Sequence, residues 1–224
     1  EGAVFCETIK ECVQNKDAII KIVGYPKDVE EVYFSQEGII NSASQNSYLI
    51  DMTTTTPTLS VKIHEEAKKK NLKALDAPVS GGDIGAKNAT LSIMVGGEKE
   101  DFEACKKLFE AMGKTIVYSG VAGSGQHTKM ANQIAIAGVM AGVSEAIAYG
   151  KKMGLDIPTM LASISNGAAQ SFHLTNNAPK MYKREFEPGF YIKHMVKDLK
   201  IANEEMPNLK VLKDVLEIYE TLEK

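Results

Sequence analysis

Apolar and polar positions change their rhythm along this chain. Between residues 17 and 120, short continuous apolar runs alternate with stretches of helical period. "DAIIKIVG" (17–24), "SYLIDM" (47–52), "LKALDAPV" (72–79), "ATLSIMVGG" (89–97) and "TIVYSG" (115–120) read as strands, bounded by glycine or polar turn residues. Helices are expected at 4–15, at 26–34 with Pro26 opening the first turn, at 53–71 after a threonine cap with Pro57 nearby, and at 98–114. Continuous apolar strands separated by helices predict a mainly parallel sheet with helices on its faces.

No strand is expected after Gly123. "HTKMANQIAIAGVMAGVSEAIAYGKKMG" (127–154) reads as one long helix, apolar nearly all round and rich in small residues. A helix of that kind is usually buried between domains or subunits. Shorter helices are expected at 156–166, 169–183, 191–205 and 208–222. The predicted fold class is an α/β domain over residues 1–120, then an all-helical domain over 121–224, joined through the long helix.

Composition narrows the partners. The 224 residues are 44% hydrophobic and 25% charged, with a formal net charge of -3. That is a globular balance with enough length for a sizeable core. Basic residues form no stripe with interleaved aromatics, so no nucleic-acid partner is expected. No apolar run reads as long enough to span a bilayer, and no leader is expected ahead of the first helix. Cys6, Cys12 and Cys105 show no metal-ligand spacing and read as reduced thiols of a cytoplasmic protein.

The candidate chemistry sits where the strands end. Ligands of open parallel sheets bind outside the carboxyl ends of the strands. Four such ends carry turn or polar residues: "VGYP" (23–26), "DMTTTTP" (51–57), "DAPVSGG" (76–82) and "SGVAGSG" (119–125). Ser80, Gly81 and Gly82 offer successive backbone N–H groups that suit a carboxylate or phosphate, although taken alone the stretch reads first as a plain tight turn. Lys129 stands near the start of the long helix, with Asn132 three residues on and Gln133 four. The helix dipole and partial burial would lower its pKa and fit it to move a proton near neutral pH. A lysine snorkelling to water is the equal alternative. His127 reads as solvated, and His64, His173 and His194 share no ligand spacing with it, so no metal site is expected. The pair Lys197–Asp198 reads, from charge pattern alone, as a solvated helix face.

Taken together, "DAPVSGGDIGAKNATLSIMVGG" (76–97), "GSGQHTKMANQ" (123–133), "IDMTTTTP" (50–57) and "MVKDLKIA" (195–202) resemble the β-hydroxyacid dehydrogenase family. The likeness is closest to 3-hydroxyisobutyrate dehydrogenases and the tartronate- and succinic-semialdehyde (glyoxylate) reductases. It covers nearly the whole chain in family order. The resemblance implies a Rossmann domain, here without the family's first strand and Gly-rich phosphate turn, followed by a helical domain. It implies hydride transfer between NAD or NADP and a small β-hydroxyacid or its semialdehyde. Lys129 matches the family's acid/base lysine. Ser80, Gly81 and Gly82 match the segment holding the substrate carboxylate, and Asn132 the amide that orients substrate. Val23, Gly24, Thr54 and Lys197 match cofactor-binding positions. A homodimer or homotetramer is implied. A 6-phosphogluconate dehydrogenase-like decarboxylating enzyme is the alternative within the superfamily, although histidines would then stand where Gln126 and Asn132 do. The alternative outside catalysis is a dimeric relic that no longer binds dinucleotide.

Overall fold

The computed structural model of the chain describes residues 2–187 and 189–224. They form two compact units, one up to Met130 and one from Ala131 onward.

The first unit is built of α1 (Ile9–Val13), β1 (Ala18–Lys21), α2 (Pro26–Phe34), α3 (Ile39–Ser42), β2 (Tyr48–Asp51), α4 (Pro57–Lys69), β3 (Lys73–Asp76), β4 (Val79–Ser80), α5 (Gly82–Lys87), β5 (Leu91–Gly96), α6 (Lys99–Glu110), β6 (Gly113–Gly120) and the start of α7 (Ser124–Lys152). Alternate residues of the strands face opposite sides, and both sides are covered. Leu49 packs with Ile19, Ala74, Val29 and Ile63 on one side. Its neighbour Ile50 packs with Leu75, Ile93, Phe102 and Phe109 on the other. Each such buried aliphatic or aromatic side chain contributes about 1.5–3 kcal/mol. This two-sided burial is why the strands read as unbroken apolar runs.

The sheet is mainly parallel, as expected, but the chain reverses direction within it at β5. β1, β2 and β3 run parallel, β5 runs antiparallel to β3 and β4, and β6 pairs parallel with β5. The cause is the short link between Ser80 and Leu91. A parallel return needs a crossover of about a dozen residues or more. Here ten residues must carry the chain back, and they hold only the short helix α5. The expected strand 72–79 is correspondingly two short strands, β3 and β4. Both pair with β5 in one continuous register, in which Met94 N also donates to Pro78 O at 3.0 Å.

Other boundaries move for local reasons. The helix expected at 4–15 shrinks to Ile9–Val13, because Thr8 caps it by accepting from Glu11 N. The helix expected at 53–71 starts at Pro57, capped by Thr56, which leaves Thr53–Thr55 outside the helix. Neither α3 nor α5 was expected, and each is too short to show a hydrophobic period.

The second unit holds the rest of α7, α8 (Ile157–Ile164), a π-helical turn (His173–Asn177) running into α9 (Ala178–Lys183), α10 (Ile192–Glu205) and α11 (Lys210–Glu223). Val143 and Ile147 of α7 pack with Ile157, Leu161, Leu174 and Ala178. By length and composition α7 is apolar enough to cross a bilayer, which corrects the expectation that no run is. Its glycines, alanines and serine interrupt the pattern to the eye without adding charge.

The three thiols differ in surroundings: Cys12 is exposed, Cys6 half-buried and Cys105 buried in the face that α6 covers. Burial pushes the Cys105 thiol up to about 11. Only about one in a thousand of these thiols is ionised at pH 8, and the thiolate is the reactive form. Iodoacetamide at that pH should label Cys12 and Cys6, and reach Cys105 only after denaturation. Mass spectrometry showing early Cys105 labelling would contradict this packing.

Candidate active site

The carboxyl ends of the three parallel strands put a row of charges inside the first unit. Lys21, Asp51 and Asp76 are the last residues of β1, β2 and β3, and register sets them side by side across the sheet. They are 7%, 2% and 4% exposed. Bare charges at such depth cost several kcal/mol each, so they must be partnered. Lys21 Nζ pairs with Asp51 Oδ1 at 2.8 Å and donates to Thr53 Oγ1 at 3.2 Å. Thr53 N also donates to Asp51 Oδ1, at 2.9 Å. Burial raises the Asp51 carboxyl above its ordinary pKa, and the charge and hydrogen bond of Lys21 oppose that rise.

Asp76 is partnered by backbone. Its Oδ1 accepts from Gly123 N at 2.8 Å and its Oδ2 from Gln126 N at 2.9 Å. Both amides belong to the first turn of α7 or the residue before it, where a helix has N–H groups with no internal partner. A carboxylate there also meets the positive end of the helix dipole. Burial raises the Asp76 pKa and the two backbone bonds oppose the rise. The fit leaves no room for side chains. A Cβ at Gly96 would stand 2.6 Å from Asp76 Oδ1, and one at Gly125 would stand 2.7 Å from Oδ2.

Around this row the four strand-end segments are joined. Val23 N donates to Thr53 Oγ1 at 2.9 Å, so the loop holding Val23 and Gly24 is tied to the threonine run. Gln126 binds that run twice, through Thr53 O and Thr55 N. Lys129, one turn further along α7, is 5% exposed and donates to Val79 O at 2.7 Å. Its ammonium therefore stands at the carbonyl just before Ser80. Ser80 is half-buried and pairs with Ser92, while Gly81 and Gly82 are exposed with φ of 127° and 63°. Thr54, Val23 and Gly24 are half-buried at the same edge. A half-exposed backbone and threonine along the carboxyl ends of β1 and β2 fit a dinucleotide laid across that edge. His127 is exposed, as expected.

Two sequence-expected residues lie in the second unit. Asn132 Nδ2 donates to Gln133 Oε1 at 2.9 Å, and Gln133 Nε2 donates to Asp198 Oδ2 at 2.6 Å. Asp198 is 1% exposed and pairs with Lys197 Nζ at 3.0 Å. The solvated-face reading of Lys197–Asp198 is thus overturned. Asp198 falls among Met195, Val196, Leu199, Ile201 and Ala202, the buried residues of α10, and Gln133 satisfies it.

Sequence reasoning missed Lys21, Asp51, Asp76 and Gln126. A signal was present: "IIK", "LID" and "ALD" are three apolar runs that each close on a charge, two of them just before a candidate turn.

Comparison with known proteins places the chain in a family. Residues 1–120 match the model of the NAD binding domain of 6-phosphogluconate dehydrogenase. Residues 123–223 match the model described as NAD-binding of NADP-dependent 3-hydroxyisobutyrate dehydrogenase. An uncharacterized oxidoreductase of Bacillus subtilis (strain 168) is 57% identical over 222 residues, covering 96% of this chain and 77% of that one. The 2-hydroxy-3-oxopropionate reductase of Escherichia coli (strain K12) is 39% identical, covering 90% and 69%. Among solved structures, Mycobacterium tuberculosis 3-hydroxyisobutyrate dehydrogenase with L-serine superposes with a TM-score of 0.89 at 26% identity, covering 97% and 77%. The chain belongs to the β-hydroxyacid dehydrogenase family of NAD(P)-dependent oxidoreductases. Its architecture is the Rossmann-like α/β sheet and helical region of that family, and the family's cofactor is NAD or NADP.

The paired amides at Asp76 make a prediction. Asp76→Asn replaces one acceptor oxygen by a donor that faces an N–H group. A buried donor left unsatisfied costs about 1–3 kcal/mol. Urea denaturation should show a loss of that size, with faster hydrogen exchange at Gly123 and Gln126. Unchanged stability and exchange would mean that Asp76 does not hold the start of α7.

Proposed function

We propose that this protein interconverts a small β-hydroxyacid and its semialdehyde, using NAD or NADP, with Lys129 as the general acid/base. One observation carries the reading: a buried lysine whose ammonium bonds the carbonyl beside Ser80, at the edge where the parallel strands end. When bound, the nicotinamide supplies the hydride acceptor for oxidation or the donor for reduction. The chain's own residues handle the rest. As the hydride leaves the hydroxyl-bearing carbon, the hydroxyl proton must leave oxygen, and Lys129 Nζ takes it as the neutral amine, becoming the ammonium. In reduction Lys129 returns the proton. Ser80 and the backbone N–H groups at Gly81 and Gly82 hold the substrate carboxylate, and Asn132 orients the substrate. Val23, Gly24 and Thr54 line the cofactor, and Lys197 reaches it. In this reading residues 1–120 belong to the dinucleotide domain and 121–224 form the substrate and assembly domain of a cytoplasmic enzyme.

The same reading includes assembly. α7 leaves Val139, Gly142, Ala148 and Tyr149 exposed, a small and apolar set that a second copy would cover. The expected state is a homodimer or homotetramer.

The direct test follows nicotinamide absorbance at neutral pH. Substrates are succinic semialdehyde, glyoxylate, tartronate semialdehyde and methylmalonate semialdehyde, with 3-hydroxyisobutyrate and L-serine in reverse. Turnover with one pair is expected. Lys129→Ala should lose about 100–10,000-fold in kcat while keeping its cofactor affinity. Normal turnover in that variant would remove the role assigned to Lys129. Ser80→Ala should lower kcat/KM for the acid more than it changes cofactor affinity; the opposite pattern would move Ser80 to the cofactor. Sedimentation as a monomer at assay concentration would refute the assembly.

A further inference from the structure

Gln126 is wholly buried, at 0% exposed, and both halves of its side-chain amide are used. Nε2 donates to Thr53 O at 2.8 Å, and Oε1 accepts from Thr55 N at 3.1 Å. One partner is a carbonyl and the other an N–H, so a single orientation of the amide satisfies both. The two bonds fall on either side of Thr54. Thr53 is further held by Lys21, by Val23 N and by Asp51. Thr54 is therefore the half-exposed centre of a segment gripped at both ends. The backbone N–H of Gln126 is in turn fixed by Asp76. Lys129 lies three residues on, a rise of about 4.5 Å along the helix.

We propose that Gln126 is a positioning residue that sets the Thr54 peptide segment against the helix turn bearing Lys129. The proposal rests on the reading of Thr54 as a cofactor residue and Lys129 as the acid/base. On that reading Gln126 fixes the cofactor contact relative to the proton-transfer group, without touching substrate or cofactor itself. A glutamine suits this task because it is neutral when buried and offers one donor and one acceptor. A carboxylate would set a second acceptor against Thr53 O. An apolar residue would leave Thr55 N and Thr53 O without their present partners.

That difference supplies the test. Gln126→Glu keeps the shape and, when protonated, keeps both hydrogen bonds: its O–H donates to Thr53 O and its carbonyl oxygen accepts from Thr55 N. When ionised it breaks the first. Buried glutamates titrate up to about pH 8–9. Turnover and NAD(P) affinity of the wild type, Q126E and Q126M should be measured from pH 6 to 9.5, with hydrogen exchange at Thr55. Q126E should approach the wild type at the acid end and, measured relative to the wild type at the same pH, fall about 10–100-fold in kcat/KM for the cofactor as pH rises. Q126M should be impaired by a similar factor at every pH. If Q126M does not fold, the pH limb of Q126E decides alone. Variants that lose protection at Thr55 yet match the wild type in cofactor affinity and kcat at all pH values would overturn the proposal. A wild type that neither binds nor turns over any nicotinamide cofactor would instead overturn the function on which it rests. If the wild type binds cofactor without turnover, the same comparison is made on cofactor affinity alone.

Discussion

The carboxylate of Asp76 on the first turn of α7 is the constraint on which the first unit's site depends. A strand end and a helix start, 47 residues apart in sequence, are joined by two charge-assisted hydrogen bonds. Everything nearby is shaped to allow that approach. Gly96 and Gly125 are without side chains because any Cβ would collide with the carboxylate. Once the helix start is fixed there, the positions of Gln126 and Lys129 follow from helix geometry. Two of the polar residues that open an otherwise apolar helix, Gln126 and Lys129, are thereby accounted for, because the sheet edge supplies a partner for each.

The row Lys21–Asp51–Asp76 shows how charges can sit at the end of a core. In β1, β2 and β3 the buried charge falls at the last residue, beyond the apolar positions that the helices cover. Lys21 and Asp51 neutralise one another at 2.8 Å, and Asp76 is neutralised by N–H groups and the helix dipole. Losing one partner of such a set costs more than the intact set contributes, since the remaining charge is stranded. That asymmetry makes the row rigid. It also transmits rigidity outward, because Thr53 bonds Lys21 and Asp51 on one side and Val23 on the other.

Much of this was legible in the sequence, and the failures have physical causes. The five apolar runs were found because burial on both faces removes polar residues from a strand. The parallel run of β1, β2 and β3 was legible from the alternation with helices, but the reversal at β5 was not, since periodicity carries no sign; only the ten-residue link after Ser80 forces the antiparallel return. Helices α3 and α5 escaped because one turn shows no period. Lys129 and Ser80 were found from spacing and family motif, and they do come together through Val79. Gln126 and Asp76 were missed because their importance lies in long-range hydrogen bonds. Lys197–Asp198 was misread because a charge pair in a helix looks solvated until its neighbour on another helix, Gln133, is known.

Helix α7 shows why composition alone is a poor guide to environment. It meets the length and hydropathy of a bilayer span, yet Gln126, Lys129 and Gln133 recur on one face at helical spacing, with Met130 and Ala137 beside them. In hydrocarbon those three would each need an internal partner or cost several kcal/mol. Here each has one in protein: the threonine run, the Val79 carbonyl and Asp198. The face that carries them is therefore protein-facing. The opposite face is exposed and carries His127, Thr128 and Glu145 among small residues such as Ala131, Ala135 and Gly142. Its glycines and alanines let another surface approach closely, as small residues do wherever helices pack tightly. A helix with one face specified by hydrogen bonds and the other by size can serve chemistry and assembly at once.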